Sequence, residues 1–442
     1  MQAIEAFLTG RIWIRQFIPF PQELIQAAID QGDAIVASGI SADGQCARCL
    51  ETSPEYVIPY TCATCGTVCR YCRACIKMGR ISSCTELVLW RTPAVINARP
   101  RAFGWAGNLT PLQESATKAI SESIHKREDH LLYAVCGAGK TEILFFPVYE
   151  ALQKGLRICI AAPRTDVILE LSPRFKQAFP DAVIHTLYGD SPEQSGYGEI
   201  ILATTHQLQR FQEAFDLLFV DEADAFPYSL DPSLERAVKK AGKRSAPVIY
   251  ISATPSHALQ KQITRHTTIF RRYHGAPLPV PAYRALWNYE RHIRNGKIPP
   301  PLKKWIEDKL QKQQPFLLFF PSIQLIEQAI PLLQKIDSTI AAVHSKDPQR
   351  KEKVMQLRGG ALSGLATSTI LERGITIPHL QVAVIGADHR VFDRSALIQI
   401  AGRVGRSATD PAGEVIFFHN GITRQMDAAR QEILFYNKEG KA

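Results

Sequence analysis

From about Asn108 onward, short apolar runs alternate with longer amphipathic stretches. "LLYAV", "RICIAA", "IILATT", "DLLFVDE" and "PVIYISAT" each end in small or polar residues. Runs that are apolar at consecutive positions, separated by helix-length segments, predict strands of a parallel sheet covered on both faces. The proline-rich stretch "HGAPLPVPAYR", beginning at His274, interrupts this texture, which resumes in "FLLFFPS", "IAAVHS", "GLATST", "VAVIGA" and "EVIFFH". The pattern predicts an α/β chain with two parallel-sheet domains, residues 108–276 and 283–442, joined near residue 280 with a cleft between them.

Upstream the pattern changes. Residues 1–45 show helical spacing of apolar residues but no chemical motif, and form an unassigned segment. Residues 46–90 are cysteine-rich, and "RTPAVINARPRAFGWAGNLTP" has the proline and glycine content of a connector.

Length and charge add two constraints. A chain of 442 residues with 45% hydrophobic content buries sizeable cores and fits about three units. With 52 Lys and Arg against 42 Asp and Glu, the net charge is +10, which favours a polyanionic partner but is modest for this length. No run reaches the roughly 18 apolar residues of a membrane helix, and the start, "MQAIEAFLTGRIWIRQF", lacks the parts of a secretion signal. A cytoplasmic protein is expected.

The first chemical signal follows "LLYAV". A strict phosphate loop has Gly, four residues, then Gly-Lys-Ser/Thr; here Ala134 stands at the first position and the rest reads "VCGAGKT". Gly137, Ala138 and Gly139 would bring backbone N–H groups to phosphate, Lys140 would meet the β and γ phosphates of ATP, and Thr141 would reach Mg²⁺. A glycine-rich turn with an exposed lysine is the plainer alternative for the loop alone. "LLFVDEAD" then ends a strand in carboxylates: Asp221 is the candidate for holding Mg²⁺ through water, and Glu222 for polarising the attacking water.

In "LTPLQ", Gln113 is placed to pair with an adenine edge, or simply to begin a helix. "ISATP" ends another strand with Ser252 and Thr254. "QIAGRVGR" sets Arg403 and Arg406 three residues apart, as on one helix face, where they would stabilise charge on a γ-phosphate with Gln399 nearby; a basic helix face is the plainer alternative.

Eight of the ten cysteines lie between Cys46 and Cys84, which in a reducing compartment points to metal rather than disulfides. The spacings are Cys46-x2-Cys49, Cys62-x2-Cys65, then Cys69, Cys72 and Cys75, with Cys84 outside. Two C-x2-C knuckles suit one tetrahedral Zn²⁺, and an iron–sulfur cluster is the chemical competitor.

These motifs together resemble the superfamily 2 nucleic-acid translocases: "TPLQ", "CGAGKT", "DEAD", "SAT", "ATSTILERGIT" and "QIAGRVGR" occur in order over residues 110–406. The resemblance implies paired RecA-like domains. RNA-remodelling members usually open the last motif with His, whereas Gln399 stands here. More narrowly, "YCRACIKMGR", "AVCGAGKTE", "APRTDVILEL", "TTHQL", "VDEADAFPYS", "TILERGIT" and "LIQIAGRVGRS" resemble the ComFA family of late competence ATPases of naturally transformable Gram-positive bacteria. Residues 1–45 contribute little to that likeness.

The family implies an ATP-driven motor at the inner face of the cell membrane that helps draw single-stranded DNA through an uptake channel, alongside other late competence proteins. Its DNA-contacting motifs fall here on Pro163, Arg164 and Thr165, on Thr205 and His206, and on Thr367 and Thr369. Its zinc pattern pairs Cys46 and Cys49 with Cys72 and Cys75, which leaves Cys62, Cys65 and Cys69 either to replace the second knuckle or to build a second site. Arg48, Arg70, Arg73, Lys77 and Arg80 surround the knuckles as candidate phosphate contacts, or equally as a solvated basic surface. A duplex-unwinding helicase of repair or replication restart, like PriA, is the alternative enzyme; a zinc-bearing adaptor with a dead motor is disfavoured because Lys140, Asp221, Glu222 and Arg406 are intact. Only 36 residues follow Arg406, and no insertion after Thr254 is long enough for a strand-separating wedge, so weak unwinding is expected.

Overall fold

The computed structural model describes residues 2–91, 96–189, 191–192, 197–373 and 377–440. The Gly374–Thr376 end of the "ATSTILERGIT" motif and part of the connector after residue 90 lie outside them. The chain divides into two compact units: the first runs to Tyr133 and resumes over Thr141–Thr267, and the second comprises Ala134–Lys140 and the chain from Thr268.

The N-terminal part contains strands β1 (Ile12–Ile14), β2 (Ala34–Ser38), β3 (Val57–Thr61), β4 (Val68–Cys72), β5 (Ile81–Ser82) and β6 (Glu86–Trp90). They form two antiparallel sheets, in the orders β1-β6-β2 and β3-β4-β5. The expected boundary at residue 45 is corrected here. β6 lies between β1 and β2, with Ile12 opposite Leu89 and Ile35 opposite the same residue, so residues on both sides of 45 share one sheet. Alternation of side chains across β1 then serves two cores. Ile12 and Ile14 pack with Cys46, Cys72 and Ile81, while Trp13 packs with Phe7, Ile25 and Val88.

The next seven strands are β7 (His130–Ala134), β8 (Ile158–Ala162), β9 (Ile184–Leu187), β10 (Ile200–Thr204), β11 (Leu217–Val220), β12 (Val248–Ser252) and β13 (His266–Ile269), in the order β13-β7-β12-β11-β8-β10-β9. The pairs from β7 to β9 in that order are all parallel. β8, β10, β11 and β12 are buried at every position, as uninterrupted apolar runs require. At about 1.5–3 kcal/mol for each fully buried Leu, Ile, Val or Phe, these central strands dominate the domain's stability.

The second unit repeats the plan with β14 (Ala282–Ala285), β15 (Phe316–Phe319), β16 (Ile340–Val343), β17 (Gly364–Thr367), β18 (Gln381–Ile385) and β19 (Val415–His419). Their order is β14-β19-β18-β15-β17-β16, parallel throughout. The helices Pro300–Gln311 and Ile323–Gln334 bury Leu302, Trp305, Ile306, Leu325, Ile326 and Leu333 against β15, β18 and β19.

Candidate active site and metal centre

In doubly wound sheets, ligands bind at the carboxyl ends of the strands. The order β7-β12-β11 sets side by side the strands that end in "VCGAGKT", "SAT" and "DEAD". β7 leaves the sheet through Val135 into the glycine loop, and the helix Lys140–Gln153 starts at the lysine itself. Gly137 and Gly139 hold φ of 84° and 75°, values that only glycine adopts without strain. Ala138 is buried, and its N–H donates to the Val135 carbonyl at 3.2 Å. Lys140 is half-buried, with Nζ donating to the Ala134 carbonyl at 3.4 Å. Thr141 Oγ1 accepts from Arg174 Nη1 at 3.0 Å, and Arg174 also pairs with Glu142.

The acidic pair is tied to its neighbours by short polar contacts. The Asp221 N–H donates to the Ala161 carbonyl at 2.8 Å, and the Glu222 N–H to Asp221 Oδ1 at 2.8 Å. Glu222 has φ of 53°, a left-handed conformation that costs a non-glycine residue about 1 kcal/mol or more and gathers at functional sites. Asp224 accepts from Ser252 Oγ at 2.6 Å and from Thr254 Oγ1 at 2.8 Å. "SAT" therefore locks the acidic turn of β11 to the end of β12.

Gln113 caps the helix Pro111–Lys126: its Oε1 accepts the Thr110 N–H at 2.8 Å, and its own N–H donates to Thr110 Oγ1. The oxygen that would receive an adenine amino group is thus already engaged in a capping box.

The two arginines of "GRVGR" do not share a helix face, which corrects the spacing argument. The helix Arg394–Ala401 ends before them, and Gly402 and Gly405 turn the chain, Gly405 with φ of 66°. Arg403 is buried and donates Nε to the Glu372 carbonyl at 2.7 Å. Arg406 is half-buried, with Nε on the Gly402 carbonyl at 3.0 Å. Gln399 is buried, and its Oε1 accepts from Cys136 Sγ at 2.9 Å. A Cβ on Gly402 would come within 2.6 Å of Cys136 Cβ, so this turn packs directly on the start of the glycine loop.

Sequence reasoning missed Arg272. It is 2% exposed, its side chain lies where a Gly137 Cβ would meet it at 3.4 Å, and its Nη1 donates to the Gly405 carbonyl. Its Nε and Nη2 are buried without a hydrogen-bond partner among the described residues. Burial, with Arg406 nearby as a lesser cause, lowers the guanidinium to about 10, so it remains cationic at neutral pH. Burial is the informative property here, and "FRRYHG" carries no sign of it.

The strand-end residues proposed to contact DNA divide by burial. Arg164 is half-buried and Thr165 exposed at the end of β8, and His206 is half-buried at the end of the adjacent β10. Burial lowers the His206 imidazole, leaving it neutral near pH 7. Thr369 is half-buried after β17. Thr205 and Thr367 are both 0% exposed, and the Thr367 hydroxyl donates to the Ser368 carbonyl at 3.2 Å. Neither side chain reaches solvent.

Cys46, Cys49, Cys72 and Cys75 are all buried, and their sulfurs lie within 4.8 Å of one another. Cys49 Sγ is 3.5 Å from Cys72 Sγ, and Cys46 Sγ is 3.8 Å from Cys75 Sγ. A tetrahedron with about 2.3 Å metal–sulfur bonds has edges of about 3.8 Å, so these spacings fit one four-thiolate ion. Arg48 is buried, donating to Cys75 Sγ at 3.1 Å and to the Met78 carbonyl at 2.6 Å. It offsets thiolate charge from within and is not a surface contact for DNA.

Residues 1–89 match the family description "Competence protein ComFA N-terminal domain". A competence protein ComFA of Bacillus subtilis (strain 168) is 40% identical, over 98% of this chain and 95% of that protein. The chain belongs to the ComFA family. A second ComFA, from Streptococcus pneumoniae, is 39% identical over 84% of this chain and 86% of its own length. Residues 106–257 match "Type III restriction enzyme, res subunit" and 301–408 match "Helicase conserved C-terminal domain". The structure of S. cerevisiae Dbp5 bound to RNA and ADP BeF3 superposes with a TM-score of 0.53 at 15% identity, covering 74% of this chain and 92% of that one. At that identity the likeness concerns fold alone, and it identifies the two parallel-sheet domains as RecA-like. The ComFA match reaches residue 1, so the segment 1–45 belongs with the cysteines within one matched region. This ComFA family member is a competence-related, helicase-like ATPase of superfamily 2.

Proposed function

We propose that this ComFA family member moves along single-stranded DNA at the expense of ATP during DNA uptake, with a zinc-stabilised N-terminal module. The observation that carries the finer reading is the layout of one sheet edge. The nucleotide motifs end β7, β12 and β11, and Arg164, Thr165 and His206 end the next strands, β8 and β10. Changes in the acidic turn at β11 thus adjoin the candidate strand-binding loops. Lys140 would neutralise the β and γ phosphates, Asp221 would hold Mg²⁺ through water, and Glu222 would polarise the attacking water. No helix among the described residues is long and apolar enough to cross a membrane, so a place at the inner face of the cell membrane would depend on the uptake channel or another competence protein.

Single-stranded DNA is expected to stimulate ATP turnover more than duplex DNA or RNA, with salt-sensitive binding, little base preference and weak unwinding of blunt duplexes. Turnover and strand-displacement assays with the three effectors test this. Efficient unwinding of a forked duplex by the isolated protein would overturn it in favour of a repair or restart helicase.

Two substitutions separate the chemistry from binding. Lys140→Ala is expected to weaken nucleotide binding, whereas Glu222→Gln should spare binding and cut turnover by about 10²–10⁴. Gln is isosteric with Glu and occupies the same left-handed backbone position, so the loss reports the carboxylate rather than relief of strain. Native turnover by Glu222→Gln would remove that residue from its role.

A further inference from the structure

Three of the cysteines that exceed the four-ligand pattern do not scatter over the surface. Cys62, Cys65 and Cys69 gather with Cys84, their sulfurs within 4.8 Å of one another. Cys62 Sγ and Cys84 Sγ are 3.7 Å apart, and Cys65 Sγ and Cys69 Sγ are 3.3 Å apart. These separations are far beyond a covalent S–S bond and near the about 3.8 Å edge of a tetrathiolate site. All four are free cysteines, two buried and two exposed.

A second observation is independent of the sulfur positions. The backbone around Cys62 repeats that around Cys46 bond for bond. In the first knuckle, the Leu50 N–H donates to the Cys46 carbonyl at 2.8 Å and the Cys46 N–H to the Glu51 carbonyl at 2.9 Å. In the second, the Gly66 N–H donates to the Cys62 carbonyl at 2.9 Å and the Cys62 N–H to the Thr67 carbonyl at 2.9 Å. The residue after the second cysteine is left-handed in both, Leu50 with φ of 59° and Gly66 with φ of 68°. The chain thus builds the same metal-knuckle turn twice.

Strand alternation explains how one hairpin serves two sites. Cys69 and Cys72 lie three residues apart on β4, so their side chains leave opposite faces. Cys72 joins Cys46, Cys49 and Cys75, and Cys69 joins the second group. Cys84 arrives from the turn between β5 and β6, which is held to β4 by the Arg70 N–H donating to Ser83 Oγ at 3.0 Å and the Ser83 N–H to the Arg70 carbonyl at 2.9 Å.

We propose that Cys62, Cys65, Cys69 and Cys84 form a second four-thiolate site for a soft divalent cation, zinc by its ligand set, so that the N-terminal module binds two ions. The second ion staples the tip of the β3–β4 hairpin to the turn leading into β6. Because Cys65 and Cys84 are exposed, it exchanges with chelators before the buried one.

The test uses the full chain. Elemental analysis after gel filtration should give two zinc equivalents per chain, and the double substitution Cys65→Ser with Cys84→Ser should give one. Reconstituted with Co²⁺, the native protein should show twice the tetrathiolate visible absorption of the double variant. Alkylation with iodoacetamide, mapped by mass spectrometry, covers the case in which that variant folds poorly. In the native protein Cys65 and Cys84 should resist modification despite their exposure, and should react once a chelator is added. One equivalent in the native protein, or free-thiol rates of alkylation at Cys65 and Cys84 before chelation, would overturn the proposal.

Discussion

Replacing Arg406 by alanine is expected to lower ATP turnover by about 10³–10⁵ while leaving nucleotide affinity nearly unchanged, the range seen for arginines that stabilise charge in phosphoryl transfer. Burial distinguishes the two arginines of the motif. Arg403 is 2% exposed and its Nε is committed to the Glu372 carbonyl, so it shapes the turn. Arg406 is half-buried, with a local bond from Nε to the Gly402 carbonyl. Beside it, Arg272 holds a second cationic group against Gly137, with Nε and Nη2 unpaired among the described residues. Two neighbouring guanidiniums repel one another unless an anion stands between, which is the arrangement that growing negative charge on a phosphoryl group would relieve. Steady-state kinetics with a separate nucleotide titration checks this. A variant with native turnover removes Arg406 from the site.

Much of the motor was legible because its signals are local. Fully buried parallel strands need near-continuous apolar runs, and β8, β10 and β12 are buried at every position. The loop glycines were legible for the same reason, since a left-handed turn before a helix start leaves few residue choices. Where the sequence misled, a local pattern stood in for a nonlocal fact. The three-residue β1 is too short to show a period of two, and its partner β6 lies more than 70 residues downstream, so residues 1–45 looked detached from the cysteines. Thr205 follows β10 and Thr367 ends β17, at strand ends like those of Arg164 and His206, and only the packing around each strand end decides which side chain meets solvent. The three-residue spacing of Arg403 and Arg406 implied a helix, yet Gly402 between the helix and the first arginine was the contrary sign. Cys84 looked isolated because its partners reach it across a hairpin rather than along the chain.

Replacing Cys72 and Cys75 together by serine should release bound metal and unfold the N-terminal module. The four sulfurs of that site are at most 2% exposed and share a small core with Ile12, Ile14, Ile40, Val57, Ile81 and Leu87. Without a metal, that core would have to bury thiols or thiolates among apolar side chains and beside the Arg48 cation, with little hydrophobic area to compensate. Structural zinc contributes an apparent roughly 10–16 kcal/mol in small fingers, as much as the whole stability of a typical domain. The damage should spread through β1 and β6, because Ile12, Ile14 and Leu87 face the metal core from the sheet that also carries Trp13 and Val88 on its other side. It should then stop. The first motor domain has its own core, built from residues such as Ile201, Phe215, Leu218 and Leu234. It meets the module through Arg236, which donates to the Cys49 carbonyl and pairs with Glu51, through Arg157 Nη1 donating to the Thr9 carbonyl at 3.0 Å, and through Arg11 lying over the Phe211 ring. Basal ATP turnover should therefore survive while residues 1–90 become open to proteolysis. Metal analysis, limited proteolysis and turnover measured on one preparation separate these outcomes. A metal-depleted double variant whose residues 1–90 still resist protease would show that packing alone holds the module.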